Sequence, residues 1–149
     1  MNTDKKIFIA SDHAGFELKN NLKDYLESLT FNIEDLGNSE FDPNDDYPDF
    51  VTLAAKKVAE NPDSFGIVIG GSGQGEAMVA NKIKNVRAAV VYDEYSARMS
   101  KTDNDANVAS LGARTINLEK AKELIKIWLE TPFSNEEHHK RRVEKINNL

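Results

Sequence analysis

The chain has 149 residues, the length of one ordinary domain, and its 40% hydrophobic and 30% charged residues are typical of a globular protein. Its net charge of −6 argues against a general nucleic-acid binder, and no apolar run is long enough for a membrane span. Because cysteine is absent and Met1 leads directly into a strand-like segment, we exclude disulfides and a cysteine nucleophile and expect one cytoplasmic domain over residues 1–149 without a secretory leader.

Five short apolar runs alternate with helical patterns along the chain. The predicted strands are Ile7–Ala10, Asn32–Leu36, Phe65–Ile69, Ala88–Val91 and Val108–Leu111. Apolar residues at helical spacing run from Leu18 to Leu29 and from Leu118 to Trp128. This alternation predicts an α/β fold with three layers, in which helices cover both faces of a Rossmann- or flavodoxin-like five-stranded parallel sheet. Such sheets bind ligands at the carboxyl ends of their strands.

A polar turn follows the first predicted strand. His13 follows Asp12 there, and its ring could hold a phosphate, while Asp12 could orient sugar hydroxyls. The spacing equally fits two structural roles, a histidine that caps the next helix and an aspartate that forms an Asx-turn. Further along, the polar segment 38–48 is predicted to be a loop, which Pro48 closes as the first residue of a helix.

A glycine-rich loop follows the third predicted strand. Glycines at positions 70, 71, 73 and 75 precede Glu76, near which a helix is expected to begin. Their backbone N–H groups could stabilise a phosphate, a carboxylate or an enediolate. The spacing matches neither the dinucleotide-binding fingerprint nor a P-loop. A tight strand-to-helix turn without a ligand is the alternative interpretation.

Glu76 is the candidate general base. The neighbouring N–H groups are expected to favour its ionised form, and no better base lies nearby in the sequence. The alternative is an ordinary acidic residue in the first turn of a helix, stabilised by the helix dipole.

The C-terminal segment is predicted to form a separate helix. Ser134 to Glu137 is typical of a capping box, and the helix is expected to extend to about Ile146. It carries a basic run from His138 to Arg142, either a phosphate clamp or a solvated basic face. Since its apolar stripe is thin, we expect this helix to reach a partner subunit.

Several segments together form a pattern that covers nearly the whole chain. They are Ser11-Asp12-His13-Ala14-Gly15-Phe16, Asp46-Tyr47-Pro48, Gly70-Gly71-Ser72-Gly73-Gln74-Gly75-Glu76, Ala80-Asn81-Lys82, Val86-Arg87-Ala88-Ala89, Tyr95-Ser96-Ala97, Asn104-Asp105-Ala106-Asn107 and His139-Lys140-Arg141-Arg142. In order and spacing the chain resembles the type B ribose-5-phosphate isomerases, a family that includes galactose-6-phosphate and allose-6-phosphate isomerases. The resemblance implies an isomerase without metal or cofactor that converts ribose 5-phosphate to ribulose 5-phosphate through a cis-enediolate.

The resemblance also implies a site between two subunits of a homodimer or a dimer of dimers, with the C-terminal helix crossing over. The expected catalytic residues are Glu76, Ser72, Asp103 and Asn104. The expected substrate-binding residues are Asp12, His13, Tyr47, Gly71, Gly73, Gln74, Gly75, Arg114, His138, His139 and Arg142. One branch of the family has its base, a cysteine, at the position of Gly70, and another has a glutamate at that of Glu76. With no cysteine in the chain, the resemblance assigns the base to Glu76.

Two positions depart from the family pattern. Asp103 stands where relatives usually have a histidine that helps to open the furanose ring, and His138 stands where many have an arginine of the phosphate clamp. A six-carbon sugar phosphate is therefore an alternative substrate, and a weakly active sugar-phosphate-binding paralogue is an alternative function. A phosphoacceptor domain is disfavoured because Gly70 and Gly71 stand where it needs an aspartate.

Overall fold

All five predicted strands belong to one parallel sheet in the computed structural model, which describes residues 1–149. The strands are β1 (Lys6–Ser11), β2 (Asn32–Asp35), β3 (Phe65–Gly70), β4 (Ala88–Val90) and β5 (Val108–Gly112). Their spatial order is β2-β1-β3-β5-β4, and every neighbouring pair is parallel. The predicted α/β fold is confirmed, although the last two strands are exchanged relative to the flavodoxin order.

Six α-helices and one 3-10 turn connect the strands. The helices are α1 (Phe16–Ser28), α2 (Tyr47–Glu60), α3 (Gln74–Ala80), α4 (Glu94–Thr102), α5 (Leu118–Glu130) and α6 (Glu137–Asn147), and the 3-10 turn is His13–Gly15. Helix α3 begins two residues before Glu76, and α2 begins one residue before Pro48. No helix combines the length and the apolar character needed to cross a membrane.

Apolar side chains on the two faces of the sheet form two separate cores. Strand β1 shows the division, because Ile7 and Ile9 belong to the core under α1, α4 and α5, while Phe8 belongs to the core under α2 and α3. Alternate residues of a strand point to opposite faces, so an uninterrupted apolar strand fits a sheet that is covered on both sides. Trp128 of α5 is fully buried in the larger core. The sheet is thus a rigid base for the loops at its carboxyl edge.

The start of the C-terminal helix differs from the prediction. Helix α6 begins at Glu137, and its N-cap, Glu136, makes no capping hydrogen bond with its side chain, so the predicted capping box is wrong. Asn135 has a φ of 58°, which directs the chain away from a helical path. The Ser134 hydroxyl accepts a hydrogen bond from the Glu136 N–H and lies 2.6 Å from His139 Nδ1. No residue of α6 is buried.

Candidate active site

The loops after β1, β3 and β5 meet around an open cleft of about 560 Å³ at the carboxyl edge of the sheet. The predicted site residues in its wall are Asp12, His13, Tyr47, Gly71, Ser72, Gly75, Glu76 and Arg114. The convergence follows from the topology, since parallel neighbours β1, β3 and β5 all end at this edge. Arg114 reaches the cleft from just beyond β5.

Glu76 lies in the first turn of α3 and is only 4% exposed. Its carboxylate lies directly over the last residue of β3, so that a Cβ atom on Gly70 would overlap with it. Gly70 therefore leaves the volume that the Glu76 side chain occupies. The carboxylate is both buried among protein atoms and open to the cleft, the position that a base acting on a bound substrate needs.

Burial raises the pKa of Glu76 above its ordinary value. Loss of water around the carboxylate is the largest cause, and the negative charge of Asp12 acts in the same direction. The backbone N–H groups of Glu76 and Gly73 lower the pKa but do not cancel the effect of burial. The prediction that these N–H groups favour the ionised form of Glu76 is therefore wrong, since burial shifts its pKa further in the opposite direction. A sequence does not reveal how deeply a carboxylate is buried.

The glycine-rich loop turns sharply into α3. Gly73 caps the helix with a φ of 79°, a left-handed conformation that side chains rarely adopt, and its carbonyl accepts a 2.6 Å hydrogen bond from the buried Ser110 hydroxyl. Gln74 is exposed and donates its N–H to the Ser72 hydroxyl at 3.3 Å. Gly75 lies against the ring of Tyr47, where a Cβ would come within 2.5 Å of the phenol oxygen. The loop thus has a defined conformation that is tied to β5.

Asp12 and His13 also line the cleft. Asp12 is 5% exposed and caps the 3-10 turn by accepting a hydrogen bond from the Gly15 N–H at 3.2 Å. The alternative prediction of an Asx-turn is wrong in detail, because that turn bonds the backbone two residues on and Gly15 lies three residues on. The His13 ring does not cap the next helix. Its Nδ1 lies 2.7 Å from Oδ1 of Asp45, which also accepts the His13 backbone N–H.

Asp45 was missed by the sequence analysis, although it lies in the polar segment 38–48 and in the wall of the cleft. Its hydrogen bond to the ring is the main cause that raises the pKa of His13, and the charges of Asp12 and Asp45 add to it. Burial and the charge of Arg114 act in the opposite direction. The ligand atoms of Asp12, His13 and Asp45 lie within 4.8 Å of one another, but the 2.7 Å contact leaves no space for an ion between the ring and Asp45.

The remaining predicted residues lie apart from the cleft of their own chain. Asp103 follows the end of α4, and its Oδ1 is 3.6 Å from Nε2 of His139. Asn104 lines a second cavity of about 510 Å³, between the segment that follows α3 and the end of α6. His138 is half-buried beside Glu136, and Arg142 is exposed. One chain therefore does not bring these residues together with Glu76.

The sequence matches a known family over nearly its whole length. The model of the ribose/galactose isomerase family covers residues 7–146. The chain belongs to this family. It is 43% identical over 141 residues to a probable ribose-5-phosphate isomerase B of Mycoplasma genitalium, covering 94% of this chain and 92% of the relative. It is 36% identical over 139 residues to ribose-5-phosphate isomerase B of Mycolicibacterium paratuberculosis, covering 93% and 87% of the two chains.

Solved structures of the ribose/galactose isomerase family have the same fold. The crystal structure of ribose-5-phosphate isomerase B from Mycoplasma genitalium, with bound ribulose-5-phosphate, superposes with a TM-score of 0.94 at 40% identity and covers 99% of this chain and 97% of that one. The enzyme from Thermotoga maritima gives a TM-score of 0.92 at 36% identity, with 97% and 99% covered. The predicted family resemblance is confirmed.

Proposed function

We propose that this protein isomerises ribose 5-phosphate to ribulose 5-phosphate. The observation that carries the proposal is the Glu76 carboxylate, which is buried over Gly70 at the floor of a cleft and next to the glycine-rich loop. The relative from Mycoplasma genitalium that binds ribulose-5-phosphate is similar over almost the whole chain.

The proposed base is Glu76. Its carboxylate removes the C2 proton of the open-chain aldose, the C2–H electron pair forms the C1–C2 double bond, and the carbonyl electrons move to O1. The resulting cis-enediolate takes the proton back at C1, while the O2 proton moves to O1, which gives the ketose. A raised pKa suits this exchange, because a carboxylate that holds a proton more firmly is a stronger base.

The negative charge of the enediolate needs donors that are already in position. Gly71, Ser72 and Gly75 border the same cleft as Glu76. We assign the enediolate to the backbone N–H groups of this loop and to the Ser72 hydroxyl. We assign the sugar hydroxyls to Asp12 and Tyr47. Removing a single fixed oxyanion donor from an enzyme typically lowers turnover by a factor of about 10² to 10³.

We assign the phosphate to the cationic side of the cleft. His13 and Arg114 both line it, and each offers an N–H donor with positive charge to a phosphate oxygen. Arg114 has no carboxylate within ion-pair distance in this chain, so its guanidinium is free for an anionic ligand. This charge explains why the substrate is a phosphate ester rather than a free sugar.

A second subunit completes the proposed site. Helix α6 buries no residue in its own chain, and Arg142 is exposed at its middle. We therefore propose a homodimer, or a dimer of dimers, in which His138, His139 and Arg142 of one subunit reach the phosphate in the cleft of the other. Asp103 lies beside His139 and would enter the same neighbouring cleft, together with Asn104.

Replacing Glu76 tests the function directly. Glu76→Gln keeps the size and the hydrogen-bonding shape but removes the base, so turnover of ribose 5-phosphate should fall by about 10² to 10⁴. Exchange of the C1 hydrogens of ribulose 5-phosphate in D₂O, followed by proton NMR, should fall equally. Glu119→Gln is the matched control, since this glutamate also lies in the first turn of a helix but its side chain is 81% exposed. Exchange in Glu76→Gln within a few-fold of wild type would contradict the assignment.

The second candidate, a weakly active sugar-phosphate-binding paralogue, is favoured by Asp103 at the position where relatives have a histidine. Ribulose 5-phosphate cannot close a furanose ring, because its C5 hydroxyl is esterified, so its hydrogen exchange requires no ring opening. Fast exchange with ribulose 5-phosphate, slow turnover of ribose 5-phosphate, and a turnover that Asp103→His restores would together show that the weakly active paralogue is correct. Equal activity with an unbranched six-carbon aldose 6-phosphate would instead widen the substrate class.

A further inference from the structure

We propose that Asp45 is a positioning residue for His13: it holds the imidazole through Nδ1 and leaves Nε2 as the ring nitrogen for the phosphate oxygens of the substrate. This inference rests on the proposed function and adds a residue that the reaction chemistry itself does not require. Asp45 Oδ1 contacts both the His13 backbone N–H at 2.9 Å and the ring Nδ1 at 2.7 Å. One oxygen thus restrains the ring at two points, which leaves little freedom in its orientation.

The second oxygen of Asp45 is also engaged. Its Oδ2 accepts a 2.9 Å hydrogen bond from the side-chain amide of Asn38, and the Asp45 side chain is only 8% exposed. A carboxylate with both oxygens occupied does not rotate without losing a bond. Asp45 is therefore a fixed acceptor, whereas a carboxylate in a solvated loop would sample many orientations.

Asn38 is itself anchored in the interior. It is 3% exposed, its amide oxygen accepts from the Ser11 hydroxyl at 3.1 Å, and its backbone carbonyl accepts from Lys19 Nζ at 2.6 Å. The Lys19 side chain is fully buried and pairs with Asp35 at 2.8 Å. A chain of hydrogen bonds therefore runs from the buried Lys19 of α1, paired with the partly exposed Asp35, through Asn38 to Asp45 and the ring of His13. No buried side-chain polar atom is left unsatisfied.

The geometry makes His13 a better ligand for a dianion. Two carboxylates face the ring, Asp45 at 2.7 Å and Asp12 at 4.0 Å, and the guanidinium of Arg114 is the opposing charge. The hydrogen bond to Asp45, together with the charges of Asp12 and Asp45, outweighs burial and the charge of Arg114 and raises the pKa of His13, so the imidazolium persists to higher pH than in a free histidine. Removing the Asp45 charge lowers that pKa, and the second cationic N–H is then lost at a lower pH.

Nitrogen NMR of histidine-labelled protein tests the contact without requiring turnover. The chain has three histidines, so one variant, His13→Gln, assigns the signal. In the wild type above its titration midpoint, His13 should carry its proton on Nδ1, the less common tautomer, because that atom faces a carboxylate. A proton on Nε2 would overturn the proposal without any Asp45 variant. Added inorganic phosphate should raise the midpoint, since the anion favours the imidazolium.

Asp45→Asn, which keeps the side-chain size and removes the charge, tests the consequence for the substrate. The His13 midpoint should fall. At a pH between the His13 midpoints of the two proteins, KM for ribose 5-phosphate should rise about tenfold, the order of one charge-assisted hydrogen bond, with kcat within about threefold of wild type. Asp45→Glu should restore part of the midpoint. Asp42→Asn is the control, because it removes an exposed charge from the same loop, and it should change neither quantity.

The outcomes separate this inference from the proposed function. An unchanged His13 midpoint in Asp45→Asn, or a loss of kcat at constant KM, overturns the positioning role. An inactive wild type overturns the proposed function, while the ring tautomer and the phosphate titration still decide whether Asp45 prepares His13 for an anion. If Asp45→Asn does not fold, the tautomer in the wild-type protein alone decides.

Discussion

The carboxylate of Glu76 occupies the space that a side chain at position 70 would need, at the end of β3. A side chain at position 70 and the carboxylate of Glu76 exclude each other, because a Cβ on Gly70 would overlap with the carboxylate. The resemblance places the base of one family branch at position 70 and that of the other at position 76. This overlap gives a steric reason why a chain with glycine at position 70 can place its base at position 76.

Alanine at Gly70 should therefore displace the base. We expect Gly70→Ala to lower kcat by a factor on the order of 10², because Glu76 is forced out of line with the substrate. Gly71→Ala is the matched control: its Cβ would come 2.9 Å from Nη1 of Arg114, the end of a flexible side chain, so KM should rise with little change in kcat. Steady-state kinetics of both variants distinguish the two effects. A Gly70→Ala enzyme with wild-type kcat would contradict the steric argument.

The raised pKa of Glu76 predicts that the ionised carboxylate, which the proposed reaction requires, makes the folded protein less stable. The folded protein holds the Glu76 proton above the ordinary value of 4.5, so this contribution to stability is present below that pH and is lost as the pH rises through the folded pKa. Glu76→Gln should thus melt above wild type at about pH 7.5, and the difference should shrink towards pH 4. As the pH falls over the same range, kcat/KM of the wild type should fall, because the base becomes protonated. A lower melting temperature of Glu76→Gln at neutral pH would contradict the prediction.

At the scale of elements, the N-cap of α5 should contribute measurably to the stability of the fold, because this helix brings Trp128 into the larger core. The Asn117 side chain accepts a 2.9 Å hydrogen bond from the Lys120 N–H. Asn117→Ala should cost about 1 kcal/mol, and the melting temperature should fall by about 2–4 °C. Asp46→Ala removes the N-cap residue of α2, whose side chain makes no such bond, and should change the melting temperature less. Equal losses would show that the cap bond contributes little.

At the scale of the whole molecule, the shared site predicts complementation between two subunits that carry different defects, measured at a substrate concentration well below the KM of the Arg142→Ala protein. In a mixed dimer of Glu76→Gln and Arg142→Ala chains, one site would carry both changes and the other neither. After denaturation and refolding together in equal amounts, random pairing should restore about one quarter of the wild-type activity, since half of the dimers then contain one intact site. Separately refolded variants are the control. No recovery in a confirmed mixed dimer would contradict a site that is shared between subunits.

The local pattern of the sequence was sufficient to predict the strands, the glycine-rich loop and the position of Glu76 near the start of a helix. Alternation of apolar and helical segments depends on neighbouring residues, and a parallel sheet brings the loops after its strands to one edge. A local pattern was insufficient at Ser134, where the positive φ of Asn135 moves the start of α6 to Glu137. A left-handed residue within a plausible capping box leaves no clear sequence signal.

Residue types at fixed spacing along the chain were enough to predict the fold class, the family and the candidate base. Three features became visible only in the folded chain: the direction of the Glu76 pKa shift, the overlap of its carboxylate with a Cβ at Gly70, and the contact of Asp45 with His13. Burial depends on all the atoms packed around a group, and His13 and Asp45 are 32 positions apart. Quantities that depend on distance in space become defined only when the chain has folded.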